Sequence, residues 1–195
     1  MRWIWVRHGE TEDNIQGRYL GHYDAPLAPS GREQAAAASE TLSGEHITRI
    51  YTSDLLRCVE TAHTIGNKQR IKPVLTSALR ELDFGEWDRK TYDEIIRENK
   101  VHIERWYGNP YEVSPPQGET LSQLGERLDN WLHRLQKEMQ PDETALLVSH
   151  GGPIRWFQAA WLEGDGKRFW YVPNVRHGKI LKAEWHEQAG WVPVR

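Results

Sequence analysis

The stretch Trp3-Ile4-Trp5-Val6-Arg7-His8-Gly9-Glu10-Thr11 is the most informative part of this chain. Its apolar start predicts a short buried strand over residues 2–7, and the residues that follow are typical of a turn and a helix start. Such a strand would deliver Arg7 and His8 to the C-terminal edge of a sheet, where open α/β folds place their chemistry. An imidazole beside a guanidinium there is suited to attack a phosphoryl group, although a strand-end histidine bonded to backbone is the simpler alternative.

Length and composition favour a globular protein of one large domain. The chain has 195 residues, of which 38% are hydrophobic and 27% charged, and its net charge is −3. This charge gives no reason to expect binding to nucleic acid or to a membrane surface. The single cysteine, Cys58, excludes an intramolecular disulfide, and the apolar run at residues 3–6 is too short for a signal peptide or a membrane span. We therefore expect a cytoplasmic protein.

Strand and helix patterns alternate along the chain, which predicts an α/β fold with a mainly parallel central sheet and helices on both faces. Further strands are predicted at residues 48–52, 71–75, 144–149, 179–185 and 191–194. Helices should begin at residues able to cap them, namely Ser30, Asp54, Thr91 and Thr120. The first would end near Leu42 and the second near Gly66. An apolar stripe with helical spacing between Leu121 and Met139 should pack on the sheet.

Two other predicted strands are also followed by residues that could bind an anion. Arg57 would lie in the first turn of a helix, where a cation opposes the helix dipole unless it meets an anion. The alternative partners for Arg57 are Asp54 and Glu60. His150 follows the strand at 144–149 and precedes Gly151-Gly152-Pro153, which places backbone N–H groups of a helix start beside the imidazole.

A candidate proton donor lies in an irregular segment between predicted elements. Glu81 has apolar neighbours, which suits a carboxyl group that gives up a proton during a reaction; Asp83 and Glu86 compete for the role. The sequence contains no His-x₃-His or Cys-x₂-Cys spacing, so we expect neither a metal ion nor a cofactor.

Five motifs in chain order resemble the histidine phosphatase superfamily, the phosphoglycerate-mutase-like group, over essentially the whole chain. They are Arg7-His8-Gly9-Glu10-Thr11 with Asn14, Ser53-Asp54-Leu55-x-Arg57-Cys58-x-x-Thr61-Ala62, Leu79-Arg80-Glu81-x-x-Phe84-Gly85-x-Trp87, Pro116-x-Gly118-Glu119-Thr120 and Val148-Ser149-His150-Gly151-Gly152. Each motif alone is of moderate specificity, but five in this order make a chance match very improbable.

The resemblance implies a single domain over residues 1–195 with a small helical cap inserted at about residues 85–118. It implies that His8 becomes transiently phosphorylated, and that Glu81 protonates the leaving alcohol and then helps to activate water. The phosphoryl oxygens would be held by a set of polar groups that includes a charged imidazole: Arg7, Asn14, Arg57, His150 and Gly151. These cations would offset charge in the transition state without a metal. The carbonyl near Gly9 is a candidate to fix the tautomer of His8.

Within the superfamily the chain is most similar to α-ribazole phosphatases, which remove a 5′-phosphate from a benzimidazole riboside late in cobalamin assembly. It lacks the longer insertion of cofactor-dependent mutases, and it reads Arg89-Lys90-Thr91-Tyr92 where those have Gly-Leu-Asn-Lys. The expected partner is therefore a small-molecule phosphate monoester. The alternatives are a broad-specificity or sugar-phosphate phosphatase, a cofactor-dependent phosphoglycerate mutase, and a non-catalytic phosphate-binding or interaction module.

Two groups of residues could shape the mouth of the site. Basic or polar side chains that either face the substrate or remain solvated are Arg89, Lys90, Arg176 and His177. Aromatic residues of the cap that could form a pocket for a flat leaving group are Trp87, Trp106, Tyr107 and Tyr111.

Overall fold

A six-stranded sheet lies at the centre of the computed structural model, which describes residues 1–194. The strands are β1 (Arg2–Arg7), β2 (Arg49–Ser53), β3 (Val74–Thr76), β4 (Thr144–Ser149), β5 (Ile180–His186) and β6 (Gly190–Val194). Their order across the sheet is β3-β2-β4-β1-β5-β6. The first four pair in parallel, whereas β5 and β6 run antiparallel at one edge. The predicted mainly parallel α/β fold is therefore confirmed.

Six α-helices connect or flank these strands. They are α1 (Glu12–Ile15), α2 (Pro29–Thr41), α3 (Leu56–Gln69), α4 (Tyr92–Gly108), α5 (Leu121–Glu138) and α6 (Gly151–Trp156). Helix α6 continues directly as a π-helix over Phe157–Leu162, and short 3₁₀ turns occupy Ser77–Leu79, Gly85–Trp87 and Gly166–Arg168. The chain therefore alternates between strand and helix through most of its length.

Side chains of β1 point alternately to the two faces of the sheet, and each face carries its own core. Trp3 and Trp5 pack in a cluster with the apolar side of α5. Ile4 and Val6 pack in a second cluster that includes residues of α2 and α3. All four side chains are fully buried, which explains why this strand is a continuous apolar run in the sequence.

Two helix starts differ from the sequence prediction. Helix α2 begins at Pro29 after Ala28, because the fixed backbone of proline suits a first helical position, and Ser30 does not cap it. Helix α3 begins after Leu55 rather than Asp54, whose carboxylate instead makes two 2.6 Å hydrogen bonds to the guanidinium of Arg80. That helix also continues past Gly66. The capping boxes predicted at Thr91 and Thr120 are confirmed.

A third apolar cluster lies outside the sheet, in the segment between β3 and α5. It includes Trp87, Ile95, Ile103 and Trp106, all of which are buried or nearly so. Helix α4 supplies three of these residues, so this segment contains a core of its own. The division of the chain into one domain with an insertion at about residues 85–118 stays a prediction.

Gly125 on α5 makes room for the indole of Trp156, the last residue of α6. A Cβ atom at Gly125 would lie 2.2 Å from the Trp156 ring. The ring is held in place because its Nε1 donates a 2.9 Å hydrogen bond to Asp129, one turn further along α5. This close approach fixes α6 against α5.

We expect Gly125→Ala to lower the free energy of unfolding. Overpacking a core costs about 1–3 kcal/mol, whereas alanine gains only about 1 kcal/mol of helix propensity over glycine. Thermal denaturation should show a lower melting temperature. The matched control is Gly108→Ala at the end of α4, where an added Cβ meets no atom within 4 Å. An unchanged melting temperature for Gly125→Ala would contradict this account.

Candidate functional site

The neighbouring strands β1 and β4 bring two histidines to the same sheet edge. The two strands run parallel with Arg7 opposite Ser149, and the backbone N–H of His8 donates to the Ser149 carbonyl at 3.0 Å. His8 and His150 each follow the last residue of their strand, and their ring centroids are 4.9 Å apart. The sequence placed both residues at this edge correctly.

His8 is buried and held in one tautomer. Its Nδ1 lies 2.6 Å from the Gly9 carbonyl, which can only accept, so Nδ1 carries the proton. Burial, together with the positive charge of Arg57, holds the pKa of His8 well below its usual value. His8 is therefore a neutral imidazole whose Nε2 has a free lone pair, which is the form needed for nucleophilic attack.

Two guanidinium groups lie at the site with donors to spare. Arg57 is fully buried and donates from both terminal nitrogens to the carbonyls of Gly21 and Tyr23, at 2.6 and 2.9 Å. Arg7 donates to the Val175 carbonyl at 3.0 Å and, at 3.3 Å, to the side chain of Asn174. The buried Nε of each arginine has no partner among the described residues. Such unpaired buried donors favour binding of an anion.

Without a bound anion His150 is held as a neutral imidazole, and its charged form beside a phosphoryl group stays a prediction. Its Nε2 lies 2.9 Å from the Ser53 hydroxyl and 3.3 Å from the thiol of Cys58. Burial comes first among the causes that hold its pKa well below the usual value, followed by the charge of Arg57. An anion bound among these groups would offset that repulsion and favour proton uptake by His150.

Glu81 lies in the segment after β3, and its carboxylate is held by hydrogen bonds from backbone N–H groups. It accepts hydrogen bonds from the N–H of Gly152, at 3.0 and 3.1 Å, and from the N–H of Leu82 at 2.8 Å. A Cβ at position 152 would lie 2.1 Å from Oε1 of Glu81. The glycine that follows Gly151 is therefore required for the carboxylate to reach this place.

The two remaining residues of the predicted phosphate pocket have different surroundings. Gly151 lies against Arg7, whose guanidinium carbon would be 3.3 Å from an added Cβ. Asn14 accepts a 3.1 Å hydrogen bond from the N–H of Thr11 and completes the capping box of α1. Within residues 1–194 the side chain of Asn14 hydrogen-bonds to Thr11 alone, and its part in phosphate binding stays a prediction.

A cavity of about 260 Å³ opens beside Glu81 and Arg7. Besides polar residues, the cavity is lined by an aromatic and apolar wall made of Leu82, Phe84, Trp106, Pro110, Leu121, Phe169 and Trp170. Of the four aromatic residues predicted from the cap, only Trp106 lines it. The other three belong to the packing around it. Trp87 is buried against Trp106, Tyr107 contacts Tyr19 through a 2.6 Å hydrogen bond, and the hydroxyl of Tyr111 donates to the Gly166 carbonyl at 2.9 Å.

Three basic or polar residues whose position the sequence left open are now placed. Arg89 pairs with Asp13 at 3.2 Å, and Lys90 pairs with Glu98 at 2.5 Å, so both are engaged on the surface. The ring of His177 lies 5.2 Å from that of His8, and its buried Nε2 has no partner within the described chain.

Arg155 is a site residue that the sequence analysis missed. It lies on α6, four residues after Gly151, and lines the cavity that contains Glu81. The sequence could have indicated Arg155. Side chains on a helix lean toward its N-terminus, and the N-terminus of α6 lies at the sheet edge.

Within residues 1–194, no group of three or more His, Cys, Asp or Glu side chains is arranged to hold a metal ion. The described helices also include none that is both long and apolar enough to cross a membrane.

His177 should make the stability of the protein depend on pH. Burial, followed by the charges of Arg7 and Arg57, lowers its pKa from 6.5 to about 3. Below pH 6.5 the unfolded chain binds a proton at His177 that the folded chain does not, so stability falls as the pH is lowered. Between pH 6.5 and 5 this single group accounts for about 2 kcal/mol.

We therefore expect His177→Asn to flatten the dependence of the unfolding free energy on pH over this window, measured by urea denaturation. Replacement of the exposed His63 by asparagine is the matched control. Equal pH dependence in the wild type and His177→Asn would show that His177 is protonated in the folded protein.

The chain is similar to several known phosphatases. The chain is 32% identical to phosphoserine phosphatase 1 of Hydrogenobacter thermophilus over 86% of its length and 79% of that protein. It is 28% identical to the adenosylcobalamin/alpha-ribazole phosphatase of Escherichia coli over 88% of its length and 84% of that protein. The crystal structure of the alpha-ribazole phosphatase from Shigella flexneri, 24% identical, superposes with a TM-score of 0.91 over 100% of this chain and 95% of that one. The family model of the histidine phosphatase superfamily (branch 1) matches residues 3–194, and the chain belongs to this superfamily.

Proposed function

We propose that this protein hydrolyses small-molecule phosphate monoesters through a phosphohistidine formed on Nε2 of His8. The observation that carries this proposal is the neutral, tautomer-fixed imidazole of His8 beside the unpaired Nε–H groups of Arg7 and Arg57. A nucleophile and the donors for the group it attacks therefore lie together. The names of the relatives in two phosphatase groups support hydrolysis as the outcome.

In the first step the Nε2 lone pair of His8 attacks phosphorus, and the bond from phosphorus to the ester oxygen breaks. Arg7 and Arg57 offset the charge on the phosphoryl oxygens, which is the main requirement of phosphoryl transfer. Glu81, protonated when the substrate binds, gives its proton to the departing alkoxide. Its carboxyl group lines the cavity together with Arg7, which places it on the substrate side of the site.

In the second step a water molecule attacks the phosphohistidine. Glu81, now a carboxylate, takes a proton from this water, the N–P bond breaks, and the electron pair returns to Nε2 of His8. Inorganic phosphate leaves, and Glu81 ends the cycle protonated as it began. The side chains assigned to these steps supply every proton and charge they need, so we propose a reaction that requires no metal ion.

We consider two candidate substrates for this reaction. The α-ribazole 5′-phosphate prediction is supported by the E. coli relative and by the aromatic wall of the cavity, which suits a flat leaving group. Phosphoserine, the substrate in the name of the Hydrogenobacter relative, is the other candidate. The cavity is small, and its lining includes Arg155 as a cation in addition to Arg7. We keep the cytoplasm as the proposed location.

We expect the wild type to release phosphate from p-nitrophenyl phosphate in EDTA, and His8→Ala to lose several orders of magnitude in kcat, as removal of a covalent nucleophile does. Rapid acid-free quenching with radiolabelled substrate should trap a phosphorylated wild-type protein. His63→Ala, at an exposed histidine, is the control. Near-normal turnover by His8→Ala would remove the covalent mechanism, and loss of wild-type turnover in EDTA would remove metal independence.

The role of Glu81 can be tested through its neighbour Gly152. The Cβ of Gly152→Ala would displace the Glu81 carboxylate, so kcat/KM for an alkyl phosphate should fall by roughly 10- to 100-fold, part of the ~10²–10⁴-fold typical of general acid catalysis. The loss on p-nitrophenyl phosphate should be much smaller, because its leaving group needs no proton. Glu81→Gln should show the same pattern, and Gly44→Ala, in open space, should show neither loss. Equal losses on both esters would argue against proton donation.

A further inference from the structure

Arg155 places a second cation at the aromatic end of the cavity. Its guanidinium carbon lies 5.8 Å from the centre of the Phe169 ring and 5.7 Å from that of Trp170. Both rings line the cavity together with Glu81, and Arg155 lies in the same wall. The aromatic faces hold the guanidinium by cation–π attraction but leave its hydrogen-bond donors free.

No described residue pairs with this guanidinium. Burial lowers the pKa of Arg155, the charge of Glu81 acts in the opposite direction, and no hydrogen bond contributes. Two other arginines near the site, outside the phosphate pocket, have carboxylate partners: Arg80 binds Asp54, and Arg127 binds Glu119 at 2.8 Å. A half-buried cation in an apolar wall is unfavourable unless it meets an anion, so its presence in a ligand cavity indicates what the ligand carries.

Position decides which part of the substrate Arg155 would meet. The proposed mechanism places the phosphoryl group at Nε2 of His8, on which the charges of Arg57 and Arg7 act. Glu81 is assigned to the leaving oxygen, and it lines the cavity together with the aromatic wall. Gly151, which lies against Arg7, begins α6, whereas Arg155 follows one turn further along that helix and lies over the rings of Phe169 and Trp170. Arg155 therefore belongs to the aromatic side of the cavity, which would receive the alcohol, rather than to the sheet edge that would receive the phosphate.

We propose that Arg155 binds a carboxylate carried by the leaving alcohol, and that the protein prefers phosphate esters of small hydroxy acids over esters of neutral alcohols. The planar guanidinium matches a carboxylate in geometry, and the cavity volume of about 260 Å³ suits a compact leaving group. This inference rests on the proposed function and refines its substrate class. It differs from the α-ribazole prediction, because that leaving group is uncharged and would leave Arg155 without a partner.

The test compares O-phosphoserine with phosphoethanolamine, which differ only in the carboxylate. We expect the wild-type kcat/KM to favour phosphoserine by roughly 10- to 100-fold, as one charge-assisted ion pair provides. Arg155→Gln should abolish that preference by lowering kcat/KM for phosphoserine alone. Arg155→Lys should retain part of it. Arg134→Gln, at an exposed arginine on α5, is the control and should leave both values unchanged.

Equal wild-type kcat/KM for the two esters, or equal losses on both in Arg155→Gln, would overturn the inference. A preference for α-ribazole 5′-phosphate over phosphoserine that survives in Arg155→Gln would also overturn it. Turnover of p-nitrophenyl phosphate distinguishes these outcomes from a failure of the proposed hydrolysis. Its turnover by the wild type would show that hydrolysis stands even where the carboxylate preference is absent, whereas no turnover of any ester would remove the proposed function itself.

Discussion

The parallel pairing of β1 with β4 is the constraint on which the site depends. Because parallel strands end at the same sheet edge, this pairing puts His8 and His150 side by side, and the ladder continues one step beyond β1 through the His8 N–H. A shift of register by one residue would turn the tryptophans of β1 to the wrong face and separate the imidazoles. The two buried cores therefore fix the geometry of the site as well as the stability of the sheet.

Stability and anion binding oppose one another at this edge. Arg57 is completely buried, yet its bonds are to the carbonyls of Gly21 and Tyr23 rather than to a carboxylate. Carbonyl partners satisfy donors without neutralising charge, so the positive potential remains and adds to burial in lowering the pKa values of His8 and His150. A carboxylate in place of these carbonyls would stabilise the folded chain but would compete with a phosphoryl group for the same donors.

The sequence predicted those features that depend on local pattern. The apolar runs of β1 and β4, the glycines after His150 and the capping boxes at Thr91 and Thr120 each carry their own signal. The wrong start of α3 arose because distant residues compete. Asp54 is a good cap by type, but Arg80 binds its carboxylate, and Asp24 instead accepts from the Leu56 N–H at 2.6 Å. Burial and the charge of Arg57 likewise lower the pKa of His150, which no local pattern indicates.

The position of Arg155 is also set by residues distant in the sequence. It follows from the junction between α5 and the helix that begins with α6, where the indoles of Trp156 and Trp161 both donate to Oδ1 of Asp129, at 2.9 and 2.6 Å. With Trp156 seated over Gly125, its neighbour Arg155 is turned toward the cavity. Strand pairing thus determines the positions of His8 and His150 at the sheet edge. Helix packing determines the position of Arg155, the residue that we propose to select the leaving group. Substrate preference can therefore change within this fold through α5 and α6 while the reacting groups on the strands stay in place.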